Sequence, residues 1–251
     1  MISRPKKVSI IIPVYNEEKF VKTLIQQIQN LKIDKKYFSL EILVVNDGST
    51  DNTEEILSKI PNIKVLKQIN LGKGRAVQNG IKNSNADLIL IQDGDLEYDP
   101  NDYLKMLEPF KYEKKISVYG SRVMGVKEKY NFFFFKGKHP KQGFGPYFMN
   151  KILQVLFRIL YKNNITDLLT GYKIYEKKFF EDNIIETDGF ETDHEISAKL
   201  VKQSYKIIEV PINYVPRLKS EGKKINFIDG IKAIIAIIKY YRWMLHLLTQ
   251  N

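Results

Sequence analysis

The stretch Val8-Ser-Ile-Ile-Ile-Pro-Val14 is an apolar run that ends in the polar sequence Tyr15-Asn-Glu17. A short apolar run that does not alternate predicts a strand buried on both faces, as in a parallel sheet covered by helices. The amphipathic segment 18–31 and the apolar run 40–45 follow it, and they predict a helix and a second strand. Residues 8–45 therefore predict the β-α-β unit from which α/β folds are built.

The alternation of strands and helices continues as far as residue 110. Residues 63–66 and 87–92 predict two more strands, with a helix over 74–81 between them. Residues 100–110 predict a helix with Asp99 as its N-cap and a proline at its first position. In open α/β sheets ligands bind beyond the carboxyl ends of the strands, so the polar residues after each apolar run are the candidate site residues.

The second half of the chain has a different texture. Residues 116–119 predict a strand that ends in Gly120-Ser-Arg122, and the Gly-, Lys- and Phe-rich segment 124–146 has no period. A connection of that length predicts a functional or mobile loop. Two amphipathic helices with basic faces are predicted over 147–161 and 228–248.

Two further elements are predicted between these helices. Thr192-x-x-Glu195 has the spacing of a capping box, which predicts a helix from there to Gln203. The apolar run 207–210 predicts a strand that Pro211 ends. No internal repeat or separate linker is present, so the sequence predicts one domain with a C-terminal appendage.

The composition limits the kinds of site and partner. With 40 Lys and Arg against 29 Asp and Glu, the formal net charge is +11, which favours an anionic partner such as a phosphate ligand, nucleic acid or lipid headgroups. The absence of Cys excludes disulfides, thiol catalysis and Cys-ligated zinc, and the 3 His form no spaced set of metal ligands. Any metal is therefore expected to have oxygen ligands.

The strongest chemical signal is Asp93-Gly94-Asp95, where two carboxylates follow an apolar strand directly. Both can converge on one hard cation, since Mg²⁺ is commonly held by one or two carboxylates together with substrate phosphates. Glu97 and Asp99 add negative charge to the same segment, which favours a compensating cation. Asp-Gly is also a common turn dipeptide, so a polar turn without a metal is the alternative.

The segment Asn70-Leu-Gly-Lys-Gly-Arg75 is typical of a phosphate-binding turn, with Lys73 at the N-terminus of a helix. It is not a Walker A sequence, because the required spacing and the Ser or Thr after the lysine are missing. The segment Asn46–Asp51 has a similar position after a strand, although it fits a simple strand-to-helix turn equally well.

Taken in chain order, these segments resemble the family 2 glycosyltransferases of the GT-A fold, and in particular the dolichol-phosphate mannose synthase-like enzymes that glycosylate polyprenyl phosphates. The resemblance covers nearly the whole chain. The matching stretches are Val8–Glu18, Val44–Asp51, Asn70–Gly74, Gln92–Leu96, Thr166–Tyr172, Gly189–Glu191 and Glu209–Tyr214, followed by Arg217 and Glu221–Lys223. The resemblance implies an α/β GT-A domain over 1–225, a Rossmann-like and mostly parallel sheet flanked by helices, and a C-terminal amphipathic helix within 226–251.

The resemblance also implies roles for individual residues. The residues expected to line the nucleotide base and ribose are Pro13, Tyr15, Glu17, Val45 and Asp47. Those expected around the metal and diphosphate are Asp93, Gly94, Asp95 and Glu97, with Asp93, Asp95 and Glu97 as the metal ligands. Relatives often have Ala and Gln where this chain has Gly94 and Glu97, and the glutamate adds a candidate ligand. Phosphates of donor or acceptor are expected at Arg122, Arg217 and Lys223, in addition to Lys73.

The expected reaction is an inverting, metal-dependent transfer from a UDP- or GDP-sugar to a dolichyl or undecaprenyl phosphate, with Mg²⁺ or Mn²⁺ as cofactor. The expected catalytic residues are Asp95, Arg122, Arg217 and Asp193. A phosphate with a second pKa of about 6 is largely ionised at neutral pH and needs no strong general base. A hydroxyl acceptor needs one, and Asp193 or Glu191 is the candidate, although carboxylates in the first turn of a helix also have a structural explanation.

Two other functions remain open at this point. One is a family 2 glycosyltransferase that acts on a sugar hydroxyl of a glycan or glycolipid. The other is a basic protein without catalytic activity that binds nucleic acid through its phosphates. Asp93 and Asp95 argue against nucleic acid, because they would repel its backbone.

Contact with a membrane surface is the last expectation. The two basic amphipathic helices and the run Phe132–Phe135, which is flanked by lysines, are typical of an interfacial surface. Packing of the same faces on the core or in an oligomer is the alternative. No stretch reaches the roughly 20 uninterrupted apolar residues of a spanning helix, so the chain is expected to act as a peripheral protein on the cytoplasmic face of the membrane. The donor sugar, the acceptor length and the oligomeric state have no readable signal.

Overall fold

A computed structural model describes residues 4–129, 144–189, 191–216 and 227–248. In chain order the elements are β1 (Lys6–Val14), α1 (Val21–Gln29), β2 (Phe38–Asp47), α2 (Thr53–Ser58), β3 (Lys64–Gln68), α3 (Lys73–Lys82), β4 (Leu88–Ile91), α4 (Tyr103–Leu107) between 3₁₀ turns at Pro100–Asp102 and Glu108–Lys111, β5 (Ile116–Ser121), α5 (Arg122–Lys129), α6 (Phe144–Tyr161), β6 (Lys173–Glu176), α7 (Lys177–Glu181), α8 (Thr192–Lys202), β7 (Lys206–Pro211) and α9 (Phe227–Leu248).

The strands form one seven-stranded sheet in the order β3-β2-β1-β4-β6-β5-β7. β1 pairs in parallel with β2 and β4, so that Val8 lies opposite Leu40 on one side and Leu88 on the other. β6 is antiparallel to both of its neighbours, β4 and β5. The carboxyl ends of β1, β2, β4 and β5 therefore meet at one edge of the sheet, and the start of β6 lies at the same edge. The predicted α/β fold with a mostly parallel sheet is confirmed.

The sheet separates two apolar layers, because successive residues of each strand point to opposite faces. Ile10 and Ile12 of β1 belong to one cluster, which contains residues of α1 and α4. Ile11 belongs to the other, which contains residues of α3, α6, α8 and α9. All three isoleucines are fully buried, as the apolar run 8–14 predicted.

The loop predicted over 124–146 is wrong at both of its ends. α5 extends to Lys129 and α6 begins at Phe144, while residues 130–143 lie outside the described residues. Gly125 was part of the loop signal, but it allows close packing: a Cβ atom there would lie 1.9 Å from the carbonyl oxygen of Ile212. A glycine required by helix packing was therefore interpreted as a sign of irregular structure.

Two predictions about helix starts had different outcomes. Asp99 is an N-cap whose side chain accepts a hydrogen bond from the amide of Asn101, although the first turn is 3₁₀. The capping box at Thr192 is wrong, because the Thr192 hydroxyl donates to the carbonyl of Thr187. Glu195 accepts from the amides of Glu186 and Thr187, so its carboxylate fixes the segment before α8 rather than the start of the helix.

The C-terminal helix α9 is present as predicted, and it packs on α6 and α8. Its residues Ala233, Ile237 and Tyr240 are buried in the same cluster as Phe157 of α6. The hydroxyl of Tyr161 donates to the Ile237 carbonyl at 2.8 Å. Among the helices that the structure describes, none is long and apolar enough to cross a bilayer. The division of the chain at 225 and 226 stays a prediction.

Candidate active site

The polar residues that follow the strands meet at one edge of the sheet, as the strand order requires. Gln92 fixes the end of β4, because its Oε1 accepts hydrogen bonds from the hydroxyls of Tyr103 and Tyr172 at 2.7 and 2.5 Å. Asp93 follows directly, and a Cβ atom on Gly171, just before β6, would lie 2.4 Å from its Oδ2. Gly171 therefore leaves the space that the Asp93 carboxylate occupies.

Asp93 and Asp95 have different surroundings. The ammonium of Lys73 lies 2.5 Å from Oδ1 of Asp93, so the turn at the start of α3 is tied directly to the carboxylate motif. Asp95 is 7% exposed, and its Oδ1 accepts a hydrogen bond from the amide of Glu97 at 3.0 Å. Burial lowers the pKa of Lys73, but the charges of Asp93 and Asp193 outweigh this and raise the pKa above its ordinary value.

Gly94 brings the end of β1 against the same motif. A Cβ atom at this position would lie 3.0 Å from Val14 Cγ1, 3.2 Å from the carbonyl oxygen of Pro13 and 3.4 Å from Glu17 Cγ. The space is tight for an alanine, which gives a physical reason for the glycine in this chain. The structure thus places Pro13 and Glu17, two of the residues predicted for the nucleotide, beside the predicted metal motif.

Other residues predicted for the nucleotide lie in different surroundings. Asp47 uses its carboxylate to hold the next loop, accepting from the amides of Leu71 and Gly72 at 2.9 Å each. Val45 is 0% exposed and belongs to the core, and it lies opposite Pro13 in the pairing of β2 with β1. Tyr15 is half-buried at the end of β1.

A second ion pair lies beside the first. The ammonium of Lys173, which is fully buried, lies 2.8 Å from Oδ1 of Asp193. Burial raises the pKa of Asp193, but the charges of Lys173 and Lys73 lower it below its ordinary value. The opposite balance holds for Lys173, whose pKa is lowered because burial outweighs the attraction of Asp193. Asp93, Lys73, Asp193 and Lys173 therefore form a row of alternating charges.

Arg122 lies at the end of β5, where the sequence predicted it. Its Nε and Nη2 donate to the two oxygens of the Asp167 carboxylate at 2.7 and 2.8 Å. Glu209 holds the backbone on the other side, accepting from the amides of Thr166 and Asp167 at 2.7 and 3.0 Å. Burial raises the pKa of Glu209. Asp167 therefore holds the Arg122 guanidinium directly, and Glu209 holds the backbone that carries Asp167.

Some site residues were not predicted from the sequence. Asp167 and Lys173 lie in or next to the stretch Thr166–Tyr172, which was recognised as a motif without roles for these two residues. Lys173 had no usable signal in the sequence, because β6 is only four residues long and the burial of this lysine, which requires a partner, is known only from the structure. Arg217 and Lys223 lie outside the described residues. Glu191 is the residue before α8, and no side-chain cap hydrogen bond joins it to that helix.

The residues present fit a divalent cation that arrives with a diphosphate. Among the described residues, no group of three His, Cys, Asp or Glu side chains is placed to hold a metal ion. Asp93 and Asp95 nevertheless supply the one or two carboxylates that Mg²⁺ needs when substrate phosphates complete its coordination. Glu97 is the third predicted ligand, and its Oε2 accepts a hydrogen bond from the hydroxyl of Tyr214 at 2.9 Å.

The family model described as Glycosyl transferase family 2 matches residues 9–184. The chain belongs to glycosyl transferase family 2. This result confirms the enzyme family that the sequence motifs predicted.

Three curated relatives of this family 2 glycosyltransferase come from archaea. Glycosyltransferase AglJ of Haloferax volcanii is 29% identical over 85% of this chain and 64% of its own length. Dolichol-phosphate mannosyltransferase of Pyrococcus furiosus is 31% identical over 86% of this chain and 59% of its own length. This chain therefore spans about six tenths of those two proteins. The UDP-N-acetylglucosamine–dolichyl-phosphate N-acetylglucosaminyltransferase of Methanococcus voltae is 27% identical over 93% of this chain and 95% of its own length.

Solved structures show the same fold at low sequence identity. Glucosyl-3-phosphoglycerate synthase of Mycobacterium tuberculosis, in complex with Mn²⁺, UDP-glucose and phosphoglyceric acid, superposes with a TM-score of 0.69 at 15% identity. The match covers 94% of this chain and 80% of that one. This likeness confirms the predicted GT-A type of fold.

Proposed function

We propose that this family 2 glycosyltransferase transfers a sugar from a UDP- or GDP-sugar to a polyprenyl phosphate, either dolichyl or undecaprenyl, with inversion at the anomeric carbon. The relatives from Pyrococcus furiosus and Methanococcus voltae, whose names include dolichol-phosphate or dolichyl-phosphate, support this acceptor. The solved structure of glucosyl-3-phosphoglycerate synthase, which contains Mn²⁺ and UDP-glucose, supports a divalent cation and a nucleotide-sugar donor.

On the donor side, we assign the nucleotide to the edge formed by Pro13, Glu17 and the carboxylate motif. Asp93 and Asp95 hold the Mg²⁺ or Mn²⁺, which supplies positive charge to the leaving diphosphate. Lys73 lies 2.5 Å from Asp93, so its ammonium is within reach of a diphosphate that binds the same motif. Its position at the start of α3 adds the helix dipole to this charge.

The observation that carries the choice of acceptor is the ion pair between Asp193 and Lys173. A carboxylate whose pKa is held below its ordinary value is a weak base, and it is poorly suited to remove a proton from a hydroxyl. A phosphate that is already ionised needs no such base. Arg122 is fixed at the same edge, and we assign it to a phosphate of the donor or acceptor, with Arg217 and Lys223 as further candidates.

The second candidate function is transfer to a sugar hydroxyl, and the presence of a carboxylate at Asp193 favours it. The two functions differ in what the loss of this carboxylate does. The double variant Lys173→Met/Asp193→Asn removes the carboxylate together with its buried partner. Transfer to a phosphate should survive in this variant. Transfer to a hydroxyl should fall by roughly 10²- to 10⁴-fold, which is the typical effect of losing a general base.

The experiment is transfer of labelled sugar from a panel of UDP- and GDP-sugars into a lipid extract that contains polyprenyl phosphates. Reactions contain Mg²⁺ or Mn²⁺, with EDTA as the control. A metal-dependent lipid product that is labile to mild acid supports the proposal and identifies the donor. Donor hydrolysis without a lipid product contradicts the phosphate acceptor and favours the hydroxyl.

We also propose that α6 and α9 rest on the membrane that contains the acceptor. The residues on the exposed side of α6 are apolar and between 52% and 69% exposed: Phe144, Phe148, Ile152, Val155 and Ile159. α9 packs on α6 and adds Ile231, Ile235 and Ile238, which are between 42% and 60% exposed. Exposed basic residues accompany them: Arg158, Lys162, Lys232, Lys239 and Arg242.

An apolar face with basic neighbours fits an anionic bilayer surface, where each Lys or Arg contributes about 1 kcal/mol. The predicted site of binding is the cytoplasmic leaflet, with the chain peripheral to it. The run Phe132–Phe135 was predicted to share this surface, and it lies outside the described residues.

Co-sedimentation with vesicles that contain anionic lipid tests this surface. Ile152→Glu should lower the bound fraction, because it places a charge in the middle of the apolar face. Leu104→Glu is the matched control, since Leu104 is 46% exposed on α4, whose buried residues belong to the cluster on the opposite face of the sheet. Equal binding by both variants would contradict the assignment.

A further inference from the structure

Tyr214 lies between the metal motif and Arg122, and it has no role in the proposed chemistry so far. It follows β7 and forms an isolated antiparallel bridge with Tyr98. The amide of the next residue, Val215, donates to the carbonyl of Glu97 at 2.9 Å. Backbone contacts therefore hold this segment against the residues that follow the Asp93–Asp95 motif.

The side chain of Tyr214 has two different contacts. Its hydroxyl donates to Oε2 of Glu97 at 2.9 Å. Its ring lies 5.0 Å from the guanidinium carbon of Arg122, which is a cation–π distance. The ring of Tyr98, 5.2 Å away between centroids, supports it from the side. One tyrosine thus touches a predicted metal ligand and the predicted phosphate-binding arginine.

We infer that Tyr214 is a positioning residue, whose hydroxyl fixes the Glu97 carboxylate beside the Asp93–Asp95 motif and whose ring supports the Arg122 guanidinium. The inference rests on the proposed function, since it needs a cation at the Asp93–Asp95 motif and a phosphate near Arg122. Hydrogen bonds to a ligating carboxylate fix its direction, and loss of such a partner commonly weakens metal binding.

Two substitutions separate the contacts. Tyr214→Phe removes the hydroxyl and keeps the ring, whereas Tyr214→Leu removes both. Tyr112→Phe is the matched control, because the Tyr112 hydroxyl also donates to a glutamate, Glu108, at 3.3 Å on an exposed surface lined by α4 and β7. Thermal unfolding of each variant shows whether it remains folded, which the Tyr112 control should do without change.

The first readout is Mn²⁺ binding in the presence of UDP or GDP, measured by electron paramagnetic resonance. No acceptor is present, so the measurement does not depend on turnover. Tyr214→Phe should weaken Mn²⁺ binding on the order of tenfold, and Tyr112→Phe should not change it. Unchanged Mn²⁺ binding in a folded Tyr214→Phe protein overturns the role of the hydroxyl. Absence of Mn²⁺ binding in the unaltered protein contradicts the metal-dependent function itself, which is a different outcome.

The second readout is binding of inorganic pyrophosphate in the presence of excess Mg²⁺, where Tyr214→Phe and Tyr214→Leu both lack the hydroxyl and differ in the ring. Tyr214→Leu should bind pyrophosphate more weakly than Tyr214→Phe, because only the leucine lacks the ring under Arg122. Equal binding by the two variants overturns the role of the ring. The role of the ring is also overturned if Tyr214→Phe already loses as much pyrophosphate binding as Tyr214→Leu does.

Discussion

Replacement of the buried lysine Lys173 by methionine should destabilise the fold strongly. Lys173 is 0% exposed, its ammonium lies 2.8 Å from Asp193 Oδ1 and 3.2 Å from the Leu168 carbonyl, and it also lies 4.9 Å from the ring centroid of Tyr119. Methionine keeps most of the volume but leaves Asp193 without its nearest positive charge. Breaking a buried pair costs about 3–5 kcal/mol.

The expected loss lies at the lower end of that range. The Asp193 side chain is 22% exposed, and Lys73 also lowers its pKa, so part of the negative charge remains compensated by water and by Lys73. We therefore expect Lys173→Met to lower the free energy of unfolding by about 3 kcal/mol. Asp193→Asn should cost a similar amount, because it leaves the lysine charge buried. The double variant should be within about 1 kcal/mol of the unaltered protein, since replacing both members of a buried pair is often close to neutral.

The assay is urea unfolding followed by circular dichroism at pH 7 for the four proteins of this double-mutant cycle. The control is Lys59→Met, because the pair Lys59–Glu55 has the same kind of geometry at 2.6 Å with side chains 70% and 65% exposed. Its loss should leave the free energy of unfolding unchanged within error, because an exposed ion pair is screened by water and contributes little. A cost for Lys173→Met as small as that of Lys59→Met, or losses that simply add in the double variant, would refute the reasoning.

The remaining predictions concern the metal motif, a buried histidine and a helix contact. Asp95→Ala should abolish metal-dependent turnover while circular dichroism stays unchanged, and retained turnover would remove the metal assignment. His194 is fully buried and burial lowers its pKa from 6.5 to about 4, so only the unfolded chain takes up this proton between those values. The contribution of His194 to the free energy of unfolding is therefore complete above pH 6.5, and about 3 kcal/mol of it is lost as the pH falls toward 4. In urea unfolding, His194→Phe should lack this part of the pH dependence. Gly74→Ala would place a Cβ atom 2.4 Å from the Asp188 carbonyl oxygen, so it should lower the free energy of unfolding by about 1–3 kcal/mol. Gly145→Ala is the control, because a Cβ atom there meets nothing within 4 Å, and it should not destabilise the protein. Thermal unfolding of both variants checks this.

The parts of the fold that local patterns determine were predictable. The apolar run 8–14 and its neighbours specify buried parallel strands, and the strand order then brings Asp93 and Arg122 to one edge without further information. The four-residue strand β6 was missed because it is short and starts with a lysine. The helix at 122–129 was missed because Gly125 has a packing role that only the contact with Ile212 reveals.

The partners of the site residues were not predictable for a different reason. Arg122 meets Asp167 at a separation of 45 residues, and Glu97 meets Tyr214 at a separation of 117 residues. No local pattern encodes such pairs, because they depend on how β6 and β7 are inserted into the sheet. The motifs showed which segments meet at the edge, but not which side chains in them pair with each other.

These pairs bear on why the proposed reaction would need a cation. At the described edge three acidic groups each face a basic one: Asp93 faces Lys73, Asp193 faces Lys173, and Asp167 faces Arg122. These three pairs sum to no net charge, so the overall charge of +11 does not by itself provide a cationic pocket there. A nucleoside diphosphate and a phosphate acceptor both bring negative charge into the site. A divalent cation held by Asp93 and Asp95, as proposed, would restore the balance, and Lys73 would then be able to leave Asp93 for the diphosphate. We therefore expect donor and cation to bind with mutual dependence, each weak without the other.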